Sequence, residues 1–191
     1  FALVFPDLYE IGTSHFGLQI LYSILNSQTW LAAERFFAPA PDMEARLKEK
    51  GLPVLSMESG TPLSGFDIIG VSLLYELNFT NILTLFHLSG IPFFAQERDG
   101  SFPLVIGGGP CAYNPEPLAD FFDAFVIGDG EEASVEMART VRQFKKDGDG
   151  RKESLLKELA RLDGVYVPSF FTAQRDENGC QVLTPKYDTC Q

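Results

Sequence analysis

The sequence predicts an α/β fold, a doubly wound five-stranded parallel sheet with a C-terminal helix and β-hairpin extension. Three observations lead there. Short continuous apolar runs recur along the chain, each stopped by proline, glycine or a polar cluster, as strands buried on both faces are. Each run is followed by a segment whose apolar residues have helical spacing, and strands alternating with helices build a parallel sheet with right-handed connections. The 191 residues, 45% hydrophobic and 13% aromatic, suffice for one full core with a small appendage.

The elements follow in order. "FALVF", residues 1–5, is the first strand, closed by Pro6. Residues 15–26 form a helix with Phe16, Ile20, Tyr22, Ile24 and Leu25 on a broad apolar face, and Thr13 or Ser14 placed to cap its start. "ERFFA", 34–38, is the second strand; an amphipathic helix over 42–50 then ends at Gly51, the residue type that best accepts a left-handed helix stop. The third strand lies within "FDIIGVSLL", 66–74, and the third helix over 78–88. Residues 104–106 form the fourth strand and "DAFVI", 123–127, the fifth, which leads through "GDGEE" into a helix running to about residue 146.

The character then changes. Residues 1–146 are predicted to form the α/β domain, and 147–191 a polar linker, an amphipathic helix over 152–161 and two β-rich runs. Those runs flank "DENG", 176–179, whose Asn-Gly pair favours a tight hairpin turn. The hairpin is expected to pad the sheet edge or hand the chain to a further domain.

Charge and cysteine usage exclude several function classes. Fifteen Lys and Arg against 26 Asp and Glu give a net charge of -11, which supplies no basic footprint for direct nucleic-acid binding. Cys111, Cys180 and Cys190 are odd in number and widely spaced, and only two histidines accompany them, so neither a disulfide framework nor a zinc site is indicated. No apolar run approaches the roughly 20 residues that cross a bilayer, and a signal-peptide pattern is missing. A cytoplasmic protein with free thiols is expected. Because the chain begins in mid-strand at Phe1, a piece of something longer is expected too.

In a sheet of this kind ligands bind beyond the carboxyl ends of the strands. The loops expected there are "PDLYEIGTSHFG", "SLLYELN", "GGGPCAYNPEP" and "GDGEE". They carry glycines, aromatics and one histidine, but no nucleophile beside a base. The triple glycine 107–109 brings backbone close to something. A phosphate fits poorly, because a phosphate cradle runs into a helix with free N–H groups, whereas Pro110 has none to give.

These motifs carry a resemblance. "FGLQILY" from Phe16, "GVSLL" from Gly70, "PLVIGGGPCAYNPEPLADFFDAFVIGDGEE" and "GVYVPSFF" from Gly164, in this order and spacing, are similar to the N-terminal cobalamin-binding-like domain of radical S-adenosylmethionine (SAM) proteins, in an Fe-S oxidoreductase-like subgroup. The resemblance covers nearly the whole chain. It implies a flavodoxin-like, cobalamin-binding-like Rossmann fold, with Ser72, Leu74, Gly107, Gly108 and Gly109 beside a flat cofactor tail and Gly128, Gly130 and Glu131 in the following loop. Ser14, His15, Phe16 and Tyr75 complete the implied cofactor-binding set. The D-x-H-x-x-G pattern that ligates cobalt is missing, since Asp7 lies eight residues before His15, so no metal-ligating residue is assigned.

The resemblance further implies that a 4Fe-4S cluster and SAM belong to a C-terminal radical SAM domain, the expected partner, because no C-x-x-x-C-x-x-C triplet exists in this chain. The chain would then be an accessory domain, inert by itself, that holds cobalamin or shapes the site of a substrate the sequence does not name. The alternative is a degenerate scaffold that binds no small molecule, its rim plugged by Phe16, Tyr75 or Tyr113. A flavin binder is a third reading, but its phosphate loop would need more than Thr13 and Ser14. Each residue also has a structural role available: His15 bonding its own loop, the glycines permitting close packing, Glu131 and Glu132 complementing a helix dipole.

Overall fold

The computed structural model describes residues 1–98, 100 and 103–187. Among these, six strands form the central sheet in the order β2-β1-β3-β4-β5-β6. Five run parallel: β1 (Ala2–Phe5), β2 (Glu34–Phe37), β3 (Ile68–Ser72), β4 (Leu104–Gly108) and β5 (Ala124–Val126). The sixth, β6 (Val165–Tyr166), joins antiparallel to β5 through the pairs Phe125 with Tyr166 and Val126 with Val165. It adds an edge strand where the sequence indicates only a hairpin. Two residues are too few to show a period, and the stacked rings of Phe125 and Tyr166, 6.3 Å apart, hold the pairing from outside the segment.

Alternation along each strand gives the sheet two buried faces. Ala2, Val4, Ile69, Val71, Val105 and Phe125 point to the first, which α4 (Phe79–Leu88) covers with Ile82, Leu85 and Phe86, while Leu47 of α3 (Pro41–Lys50) adds to its margin. Leu3 and Phe5 point to the second, against Leu18 and Leu25 of α2 (Phe16–Asn26). Ile106, Ala124 and Val126 meet Met137, Ala138 and Val141 of α5 (Gly130–Asp147) on that face, and Leu156 and Leu159 of α6 (Lys152–Leu159) extend the cluster. Helices on both faces make the sheet doubly wound, as expected.

A short helix, α1 (Tyr9–Gly12), interrupts the first loop. The start of α2 differs from expectation. Neither Thr13 nor Ser14 caps it: His15 is the N-cap, its Nδ1 accepting the Leu18 N–H at 3.3 Å, while the Ser14 hydroxyl donates back to Ile11 O. α3 stops as expected, with Gly51 left-handed at φ 61°. Trp30, the chain's sole tryptophan, lies at the N-terminal end of the sheet near Ile68, under the Arg142 guanidinium 5.1 Å from its ring centroid.

The same end of the sheet holds a buried ion cluster. Arg98 donates to the carbonyls of Pro92, Phe93 and Phe121 and lies 3.4 Å from Asp123, whose other oxygen is 2.6 Å from Lys152 of α6. Asp123 also accepts the Val105 N–H at 2.7 Å. Burial lowers the Arg98 pKa from its ordinary value, with Asp123 opposing.

After β6, β7 (Phe171–Arg175) and β8 (Gln181–Pro185) form the antiparallel hairpin. Its turn is not the tight Asn-Gly form. Asn178 keeps negative φ; Gly179 alone is left-handed, at 80°, and Asp176 Oδ1 accepts the N–H groups of Asn178 and Cys180. An aspartate that holds the loop from inside removes the need for two successive left-handed residues. Cys111 and Cys180 are free thiols, and Cys190 lies outside the described residues.

Candidate functional site

Parallel strands end together, so the loops leaving β1, β3, β4 and β5 share one rim. On the second face, between α2 and α5, they leave a cleft of about 260 Å³. Its floor is a row of register partners: Ser72 on β3, Gly108 on β4 and Val126 on β5. A Cβ added at Gly108 would meet nothing closer than Val126 at 3.8 Å, so the missing side chain is itself part of the open space.

The neighbouring glycines have other reasons to be glycine. Gly107 points to the first face, where a Cβ would lie 2.7 Å from Leu73 and 2.8 Å from Phe125, and it offers the cleft only its main chain. Gly109 sits at φ 111°, a region L side chains rarely adopt, and a Cβ there would approach the Leu73 carbonyl to 3.0 Å. That close approach lets Cys111 N–H bond Leu73 O and Leu73 N–H bond Gly108 O, locking the turn into Pro110. The glycines extend β4 to Gly108, two residues past the strand expected from apolar residues alone.

The walls come from the two helices. Leu18 and Leu21 of α2, with its cap His15, face Gly130, Glu131 and Ser134 of α5 across the cleft, and Leu74 and Gly128 line its mouth. Asp129, the N-cap of α5, makes no capping hydrogen bond, so the first-turn N–H groups stay unclaimed by a side chain, while Glu131 and Glu132 complement the positive end of the helix. Ser14, Phe16 and Tyr75 lie instead in an adjoining, more open cleft of about 470 Å³, which shares His15, Gly17 and Leu74 with the first. The twelve residues singled out in the sequence thus divide between two adjoining clefts, with His15 and Leu74 on the wall between them.

Sequence reasoning missed three supports. Asp7 accepts its neighbour Leu8 N–H and the Asn78 side-chain amide at 3.2 Å, and Asn81 donates to Pro6 O, so the first loop is pinned to the start of α4. Gly17 leaves room for the His15 ring, whose Cε1 would be 3.0 Å from an added Cβ. Gly70 admits the Phe1 ring, 2.6 Å from where a Cβ would sit. None has a local pattern; only the "SHFG" spacing hinted at Gly17.

Among the described residues no Lys or Arg lines either cleft, so a phosphate there would have no cationic side chain as partner. Among the described residues no Ser or Cys hydrogen-bonds to His15, and no three His, Cys, Asp or Glu side chains cluster as a metal site requires. Cys111 at the turn is a poor nucleophile, because burial and the neighbouring Glu76 carboxylate push its thiol pKa up. Among the described residues no helix is long and apolar enough to cross a membrane.

Similarity to known proteins agrees with this architecture. The structure aligns over 100% of its length with 31% of a radical S-adenosylmethionine methyltransferase, TsrM, from Kitasatospora setae, solved with tryptophan substrate and a SAM analogue, at TM-score 0.52 and 19% identity. The same enzyme solved with cobalamin and a [4Fe-4S] cluster gives TM-score 0.52 and 18% identity over 96% of this chain and 30% of that one. At such identities the likeness is one of fold. Uncharacterized protein MJ0966 of Methanocaldococcus jannaschii is 22% identical over 148 residues, 77% of this chain and 28% of the relative, so this chain spans under a third of the proteins it matches. The family profile described as radical SAM proteins, N-terminal, matches residues 17–168, and with that match over most of its length the chain belongs to the N-terminal family of the radical SAM proteins.

Proposed function

We propose that this chain is a cofactor-bearing accessory domain: its cleft takes the tail of cobalamin, and its rim faces a radical SAM domain carried by the rest of a cytoplasmic protein. The observation that carries the reading is the floor of the cleft, where Gly108 stands between Ser72 and Val126 with open space in place of a side chain. A flat group can lie against that strip of backbone. The residues present suit such a tail, with apolar Leu18, Leu21 and Val126 around it, and the Ser72 and Ser134 hydroxyls and the uncapped first-turn N–H groups of α5 for its polar atoms, its phosphodiester included.

Further support comes from residues that would plug the rim of an inert scaffold. Phe16, Tyr75 and Tyr113 are 78%, 54% and 73% exposed, standing outward instead of filling the cleft. Phe16 and Tyr75 line the adjoining cleft, where their exposed rings would be available to a covering domain. Residues 1–146 would then be the cofactor domain, with the hairpin in 147–191 handing the chain on. The cluster and SAM would belong to the following domain. Cobalamin when bound would supply a carrier for a one-carbon or radical step; this chain's residues would hold and orient it and keep water out.

Titration with hydroxocobalamin, followed by absorbance and calorimetry, tests the reading. Saturable binding that Gly108→Trp abolishes without unfolding the protein is the expected result. A folded protein that binds no cobalamin leaves the scaffold reading in its place.

A further inference from the structure

Among the described residues, the most exposed large apolar side chains are Phe16, Tyr113, Leu77, Tyr75 and Ile11, and all of them stand at the open end of the sheet, on the segments that leave β1, β3 and β4. Those segments are tied to one another. Asp7 of the first loop accepts the Asn78 side-chain amide at 3.2 Å, and the Cys111 thiol after β4 hydrogen-bonds the Glu76 carboxylate after β3. Their charge has one sign. Residues 6–15, 73–78, 109–116 and 127–133 hold none of the chain's 15 Lys and Arg. They hold Glu10, Glu76, Asp129 and Glu132, which are exposed and, among the described residues, form no ion pair. At the other end of the sheet the carboxylates are matched, Asp67 by Lys145 and Asp123 by Arg98 and Lys152.

We infer that the open end is a docking face for a protein surface that is apolar at its centre and carries basic side chains, lysines among them, around it. The inference rests on the reading that a radical SAM domain covers this rim, and it states the chemistry with which that domain meets it. Covering the bare rings drives the association, whereas covering unpaired carboxylates opposes it unless the partner brings cations to them. The same carboxylates turn other occupants away. A nucleic acid or an anionic membrane would bring negative charge against negative charge. A second copy joined through this face about a two-fold axis would oppose each acidic rim to its like.

Two measurements on the full-length protein test it. Hydroxyl-radical footprinting read by mass spectrometry reports the exposure of Phe16, Tyr75 and Tyr113, and zero-length carbodiimide coupling reports which lysines lie against Glu10 and Glu76. The three rings should label several-fold more slowly in the full-length protein than in this chain alone, and Glu10 and Glu76 should couple to lysines of the covering domain. Glu10→Lys combined with Glu76→Lys should raise the labelling of the full-length protein about two- to fivefold. Rings that are covered but label no faster in the folded double variant would overturn the inference while leaving the covering domain in place. If the double variant does not fold, the coupling decides, and covered rings with no lysine of that domain joined to Glu10 or Glu76 would overturn it. Coupling of Glu76 to Lys145 or Lys146 of a second copy would overturn it in favour of copies stacked head to tail. Rings as reactive in the full-length protein as in this chain alone would sink both the inference and the covered rim.

Discussion

The two ends of the central sheet are built on opposite plans. At the N-terminal end, Arg98, Asp123 and Lys152 form a buried cluster in which the Arg98 and Asp123 side chains are 0% and 1% exposed and three carbonyls take up the guanidinium's N–H groups. At the C-terminal end, Ser72, Gly108 and Val126 floor an open cleft, and the exposed Phe16 and Tyr75 line the cleft adjoining it. One end is closed by charges that satisfy one another, the other left open by side chains that are missing. The closed end anchors the strands so that the open end can afford vacancies, which is how a rigid scaffold presents a binding site.

The largest expected effect breaks the closed end. Asp123→Ala leaves Arg98 buried without its counter-charge and the Val105 N–H without its acceptor, and should cost about 3–5 kcal/mol, read as a lower urea midpoint with unchanged slope. Next comes a contrast within the open end. Gly107→Ala forces a methyl group into Leu73 and Phe125 and should cost about 1–3 kcal/mol. Gly108→Ala has room, should stay within about 0.5 kcal/mol of wild type in the same assay, and should weaken hydroxocobalamin binding instead. Equal destabilisation by the two would erase the distinction between a core glycine and a cleft glycine.

Smaller effects concern the C-terminal extension, which belongs to neither plan. The Tyr166 hydroxyl donates to Glu116 at 2.6 Å, and the other Glu116 oxygen accepts from Gln181 of β8, so Tyr166→Phe should cost about 1 kcal/mol and raise hydrogen exchange in β7 and β8 first. Smallest is a pH effect ahead of α6. The Arg151 backbone N–H, then Ser154 and the Arg151 side chain, hold the Asp149 carboxyl at about 2 against an ordinary 3.8. A depressed folded pKa means that this support is present in full above 3.8 and disappears as pH falls through about 2. Amide exchange at the start of α6 should therefore quicken between those pH values in the wild type, and Asp149→Asn should flatten that dependence.

Much of the scaffold was legible because it is local. Apolar runs such as "FALVF" and "DAFVI" announce strands, and their alternation with helical spacing announces a parallel sheet. What stayed hidden depends on partners distant in the chain. Val165 and Tyr166 become a strand because Phe125 stacks on Tyr166, and Arg98 is buried because Asp123 lies 25 positions on. The glycine triplet was visible as a signal, but not that its members face three different neighbours: a core, a cleft and a carbonyl. His15 was visible as a candidate, whereas its capping bond to Leu18 required the ring's orientation.

Trp30 lies at the closed end beside Ile68, and the four steps along β3 from Ile68 to Ser72 on the cleft floor span about 13 Å at the usual rise per residue. At such a separation the indole is near enough to pass excitation energy to a ligand there that absorbs in the near ultraviolet. The protein therefore carries a built-in optical ruler: a coloured corrin in the cleft would shorten the emission lifetime of Trp30, while a colourless guest would leave it ticking at its own pace.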